Sequence, residues 1–133
     1  MSFTYRDGEL CCESLPLAEL AARYGTPLYV YSAERLRQNY RRLAAAFAPL
    51  HPKIHYALKA NSNLSILRLL RAEGAGFDGV SGGELFRALR AGADPAEIVF
   101  AGVGKTDAEL TAGLAAAIGW FNVESAEELA ALD

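Results

Sequence analysis

The chain has 133 residues, 52% of them hydrophobic, which suits one domain with a substantial core. Thirteen basic against sixteen acidic residues leave a formal charge of −3, and no Lys/Arg run is dense enough to grip nucleic acid or an anionic membrane. No stretch reaches the roughly 18 apolar residues of a membrane span, and the start Met-Ser-Phe-Thr-Tyr-Arg-Asp lacks the order of a secretory signal, so the sequence reads as cytoplasmic.

A short polar-apolar run at Phe3 to Leu10 opens the chain. A helix is expected from about Pro16 to Tyr24, with Leu17, Leu20, Ala21 and Tyr24 on one face and Gly25 as its stop. Pro27 to Tyr31 reads as an apolar strand. The adjacent Cys11 and Cys12 read as reduced thiols, because vicinal cysteines rarely meet disulfide geometry. Ser32 is set to cap a longer helix that carries Leu36, Tyr40, Leu43 and Phe47 on one side and is closed by Pro49. Residues 1–31 are thus expected to form a strand-helix-strand segment of a second, β-rich domain, and residues 32–133 a separate one. His51 and His55 flank a proline with no carboxylate at ligand spacing, so no metal site is expected.

From here a repeat organises the sequence: Ile54, Gly76, Ile98 and Trp120 stand at the start of short apolar runs and are 22 residues apart. The runs, 54–58, 76–80, 98–102 and 120–123, each have the length of a buried strand. Between them lie helical patterns, the first with Leu64, Leu67 and Leu70 at helical spacing, Asn63 as its N-cap and Gly74 as its stop. Ser81 with Glu84, Thr106 with Glu109, and Ser125 with Glu128 have the form of capping boxes, and Gly92 and Gly113 to Gly119 supply the breaks. Alternating strands and helices imply parallel strands joined by crossovers. The fold class is α/β, a partial (β/α)8 barrel of about four βα units. A doubly wound sheet is the alternative, but its units run longer, and the first strand here is followed by Lys59-Ala60-Asn61-Ser62-Asn63, with no glycine for a nucleotide turn. Four units are half of a barrel of about 250 residues, and the last helix is uncapped at Asp133, so the chain reads as truncated.

Lys59 follows directly on the apolar run 54–58, at the carboxyl end of a parallel strand, where barrel active sites are built. An apolar floor beneath it would desolvate the ammonium and favour the neutral, nucleophilic amine that forms a Schiff base with an aldehyde. A lysine that simply reaches solvent is the alternative. The segment His55-Tyr56-Ala57-Leu58-Lys59-Ala60-Asn61-Ser62-Asn63 closely resembles the pyridoxal-phosphate attachment motif, Tyr-Ala-x-Lys-Ala-Asn, of the fold-type III decarboxylases. That family holds the diaminopimelate, ornithine and arginine decarboxylases. The resemblance continues through Gly76–Leu85, Ile98–Thr106 and Phe121–Ser125, and the Ser-Gly-Gly-Glu-Leu and Gly-Lys-Thr variants are more similar to bacterial diaminopimelate decarboxylases than to eukaryotic ornithine decarboxylases.

The resemblance implies that Lys59 carries pyridoxal 5'-phosphate as a Schiff base and that Asp78 and Glu84 lie near the cofactor. It implies decarboxylation of meso-2,6-diaminopimelate to L-lysine by an enzyme that is a homodimer at full length, with ornithine, arginine or carboxynorspermidine as the family's other substrates. Asp78 also interrupts an apolar strand, where an unpaired carboxylate is costly, and Glu84 has a second explanation as the capping partner of Ser81. Lys105, in Gly102-Val103-Gly104-Lys105-Thr106, departs from a Walker loop, which needs four residues between its glycines, and is expected on the rim of the carboxyl face. By the same resemblance the phosphate loop and the substrate-reading arginine are expected beyond residue 133. The remaining reading is an inactive half-barrel or interaction module with an open edge at residues 120–123.

Overall fold

Asp7 and Gly8 both take positive φ, 50° and 84°, and reverse the chain in a two-residue turn whose twist suits a hairpin. The computed structural model, which describes residues 2–133, accordingly pairs β1 (Phe3–Arg6) antiparallel with β2 (Glu9–Cys12). A third strand, β3 (Leu15–Pro16), joins the other side of β2. Helix α1 (Leu17–Tyr24) follows and is stopped by Gly25 at φ 80°. Cys11 and Cys12 are buried free thiols, and burial, aided by the neighbouring Glu13 carboxylate, pushes the Cys12 thiol up.

The segment Pro27–Tyr31 is not a strand, contrary to the sequence expectation: among the described residues it joins no ladder, its proline has no N–H to give, and Leu28, Tyr29 and Tyr31 are exposed. The amino-terminal order is therefore three antiparallel strands and a helix, not strand-helix-strand. Helix α2 (Ala33–Phe47) is capped by Ser32, whose Oγ accepts from the Arg35 amide at 3.0 Å. Glu13 adds a second cap: its carboxylate accepts from the Glu34 amide at 2.9 Å and from the Ser32 hydroxyl at 2.7 Å, and these bonds hold it below the usual carboxylate range.

The chain divides into two compact units, Met1–Ala46 and Phe47–Asp133. The second contains β4 (His55–Ala57), α3 (Leu64–Ala72), β5 (Gly76–Gly79), α4 (Gly82–Arg90), β6 (Ile98–Phe100), α5 (Asp107–Ala115), β7 (Trp120–Phe121) and α6 (Ala126–Leu132). Its sheet is parallel in the order β4-β5-β6-β7. The order never reverses, so these units contain no doubly wound switch point. Each strand is shorter than its apolar run, because the last residues of the run turn away into the following loop. Gly113 lies inside α5 rather than breaking it, and Phe121 fills the space above it.

Ladder partners are 21 residues apart, as in Tyr56 with Phe77, Phe77 with Ile98 and Val99 with Trp120. Strands β5, β6 and β7 nevertheless begin 22 residues apart, at Gly76, Ile98 and Trp120. Each of these strands therefore starts one residue further along than its neighbour. Phe77, Ile98 and Phe100, all without solvent exposure, pack with Leu58, Leu67, Leu85 and Ala88 into one core on the helix-covered face. Burying each large side chain contributes about 1.5–3 kcal/mol.

Two glycines test this packing. A Cβ at Gly119 would lie 2.2 Å from the backbone oxygen of Ala96, whereas one at Gly83, in the first turn of α4, meets nothing within 4 Å. Gly119→Ala should lower the urea midpoint by the equivalent of about 2 kcal/mol. Gly83→Ala should raise it by about 0.5 kcal/mol.

Candidate functional site

Because β4 to β7 run the same way, their carboxyl ends and the loops that follow share one edge of the sheet. Side chains alternate along β5: Phe77 is in the helix-side core, so Asp78 faces the opposite side, in register with Ala57 and Val99. Its Oδ1 is buried and has no hydrogen-bond partner. A buried carboxylate oxygen without a donor is costly, and such an atom in a native site calls for a partner.

Lys59 does not sit directly on a strand end. Strand β4 stops at Ala57, and a 3-10 turn, Leu58–Ala60, carries Lys59 into the loop. Leu58 drops into the core and Lys59 emerges exposed. The turn lifts the lysine off the apolar floor that Leu58 enters. Among the described residues its amine makes no hydrogen bond or ion pair. The loop itself is fixed: the Tyr56 hydroxyl donates to the Asn61 carbonyl at 3.2 Å, and Asn63 caps α3 by accepting from the Ser65 amide at 2.9 Å.

Glu84 braces the next loop. Its Oε2 accepts from the Val80 amide at 2.7 Å, while Ser81 Oγ accepts from the Glu84 amide at 3.3 Å. The expected capping box is thus one-sided, with the carboxylate reaching one residue past the cap to hold the segment that follows Asp78. Ser125 and Glu128 repeat this arrangement, with Glu128 Oε2 on the Glu124 amide at 3.4 Å.

Glu109 was legible only as a capping residue. It closes a full box with Thr106, but its Oε1 also accepts from the Gly82 amide at 2.7 Å, tying α5 to the first residue of α4. The Gly82 amide, followed by the Thr106 amide and hydroxyl, holds the Glu109 carboxyl below its usual range. The cross-link needs a glycine at 82, where a Cβ would stand 3.1 Å from Glu109 Cγ, and that tertiary condition leaves no signal in a capping motif. Lys105 lies in the strand-to-helix loop at the carboxyl edge, as expected, but its side chain is turned in, has no solvent exposure and pairs with Glu128. The β7 carboxyl end and α6 close over it, which the local Gly-Lys-Thr pattern does not reveal.

The parallel sheet therefore brings Lys59, Asp78 and Glu84 to one edge, the first free, the second with an unmatched oxygen and the third engaged. Among the described residues no group of three or more His, Cys, Asp or Glu could hold a metal ion, and no helix is long and apolar enough to cross a membrane.

Residues 33–133 match the family described as pyridoxal-dependent decarboxylase, pyridoxal binding domain. The chain is 50% identical over 128 residues to diaminopimelate decarboxylase of Pseudomonas aeruginosa, covering 96% of this chain and 31% of that protein. It is also 50% identical over 129 residues to the Aquifex aeolicus enzyme of the same name, covering 97% and 30%. The crystal structure of diaminopimelate decarboxylase from M. jannaschii in complex with L-lysine aligns with a TM-score of 0.94 at 40% identity, over 98% of this chain and 32% of that one. The chain spans about a third of the length of these relatives.

The Glu109 link predicts a pH dependence. A carboxyl lowered in the folded state adds stability that is present above its unfolded value, about 4.5, and is lost as pH falls through the folded value. Glu109→Gln should cost about 1 kcal/mol at neutral pH, and the difference from the parent chain should shrink as pH falls below about 4, read as thermal midpoints across that range.

Proposed function

This chain belongs to the pyridoxal-dependent decarboxylases, and from that membership we propose that it supplies the cofactor-attachment portion of a diaminopimelate decarboxylase, with Lys59 as the attachment residue. The observation that carries the reading is an unpartnered amine at Lys59 on the same sheet edge as the unpartnered buried oxygen of Asp78. An exposed lysine in a fixed loop is free to attach an aldehyde, and a carboxylate oxygen without a donor suits the hydrogen-bonding, cationic groups that accompany it.

Pyridoxal phosphate, when bound, supplies the conjugated ring that accepts the electron pair left by the departing carboxylate. The chain's own residues have simpler tasks. Lys59 binds the cofactor aldehyde at Nζ and can carry a proton there for the product. Asp78 offers Oδ1 as a hydrogen-bond acceptor on the sheet face opposite the core. Glu84 holds the Val80 amide, and so the loop that leaves Asp78. The first turns of α3 to α6 are already partly engaged: Glu109 occupies the Gly82 amide, and Asn63, Ser81, Thr106 and Ser125 cap their own helices. Phosphate contacts are proposed to come from outside residues 1–133.

For the fold, the reading is the first half of a (β/α)8 barrel over residues 32–133, with residues 1–31 belonging to a β-rich domain. The unreversed parallel order of four strands, each followed by a helix, supports this reading. The substrate, meso-2,6-diaminopimelate, is proposed from the relatives' names, with L-lysine as product, in a cytoplasmic homodimer.

Incubation with pyridoxal phosphate followed by borohydride should fix the cofactor covalently at Lys59, and Lys59→Ala should remove at least about nine-tenths of the label. Peptide mapping that finds the label at Lys53 or Lys105 would contradict the assignment. The 133-residue chain alone should release no carbon dioxide from diaminopimelate above background, because its phosphate contacts lie elsewhere.

A further inference from the structure

Lys105 has a side chain shielded from solvent that the cofactor reading leaves without a task. An ammonium has three N–H donors, and all three are used: Nζ donates to the Gly102 carbonyl at 2.7 Å, to the Asn122 carbonyl at 2.8 Å and to Glu128 Oε1 at 2.5 Å. The Phe100 ring lies 5.6 Å away on one side. With its side chain shielded and no donor to spare, this lysine is not a ligand-binding group. Its partners come from three places at the carboxyl edge: the loop after β6, the end of β7 and the first turn of α6.

Gly102, one of the carbonyls it grips, takes φ 86°, and a Cβ there would lie 3.0 Å from Val80 Cβ. The strap that Lys105 holds thus rests against Val80, which is two residues after Asp78 and whose own amide Glu84 fixes from the other direction. Glu128 in turn anchors its own loop through the Glu124 amide. We propose that Lys105 is a positioning residue: its saturated ammonium locks the loops after β6 and β7 together and holds them against the loop after β5, so that the surroundings of Asp78 and Lys59 are set before any ligand arrives. The effect on the cofactor rests on the Lys59 reading; the locking of the loops does not.

Three forms of the 133-residue chain separate this role from general stability: the parent, Lys105→Met, and Lys105→Met with Glu128→Leu. The single change strands a buried carboxylate, whereas the double change removes both charges and should restore the thermal midpoint. Amide hydrogen exchange should rise about tenfold or more at residues 80–84, 101–104 and 122–124 in both variants, with β4 and α3 unchanged. The pyridoxal phosphate concentration that half-labels Lys59 should rise about tenfold in both. Unchanged exchange in those loops, a uniform rise throughout the chain, or full recovery of loop protection and labelling in the double variant would each overturn the proposal. If the parent chain takes no label at Lys59 while the loop pattern holds, the attachment reading falls and the lock stands.

Discussion

Everything in the second unit depends on the one-way ladder of β4 to β7. Parallel pairing at a constant offset of 21 residues sends all four strands in one direction, so every strand-to-helix loop opens on the same edge. The same ladder sorts side chains onto two faces. Phe77, Ile98 and Phe100 go to the helices, and Asp78 goes to the other side. A shift of one residue in register would exchange the two faces, bury the carboxylate in the core and expose the aromatic rings. The core and the site are consequences of a single geometric choice.

The carboxyl edge is held differently from the core. Its loops are short and polar, and they are braced by charged side chains on backbone groups: Glu84 on Val80, Glu109 on Gly82 and Thr106, Glu128 on Glu124, and Lys105 on Gly102 and Asn122. Two of these braces, from Glu109 and Lys105, cross from one βα unit to its neighbour. Backbone groups at the edge are thereby satisfied without covering Lys59, which stays exposed.

Much of this was legible in the sequence, for reasons particular to each element. The strand and helix positions from 54 onward follow from short apolar runs alternating with helical spacing, and the caps Asn63, Ser81, Thr106 and Ser125 follow from local hydrogen-bonding chemistry. What escaped was tertiary. Pro27–Tyr31 has strand composition but joins no ladder among the described residues, and composition cannot report a missing neighbour. Asp7-Gly8 carries the turn that makes the amino-terminal hairpin, a short signal hidden in a polar stretch. The burial of Lys105 depends on Asn122 and Glu128, 17 and 23 residues away. The exposure of Lys59 was not legible, because it hangs on Leu58 turning inward at the end of β4.

The central claim is that the carboxyl edge of this sheet, and not its amino edge, receives pyridoxal phosphate. Amide NMR of the chain during titration with the cofactor tests it most directly, since every strand contributes reporters at both ends. The account predicts shifts at Lys59, Asp78, Val80, Ser81, Gly102 and Asn122, with His55, Gly76, Ile98 and Trp120 unmoved. Shifts confined to the amino-end residues, or scattered over the outer faces of α3 to α5, would contradict it.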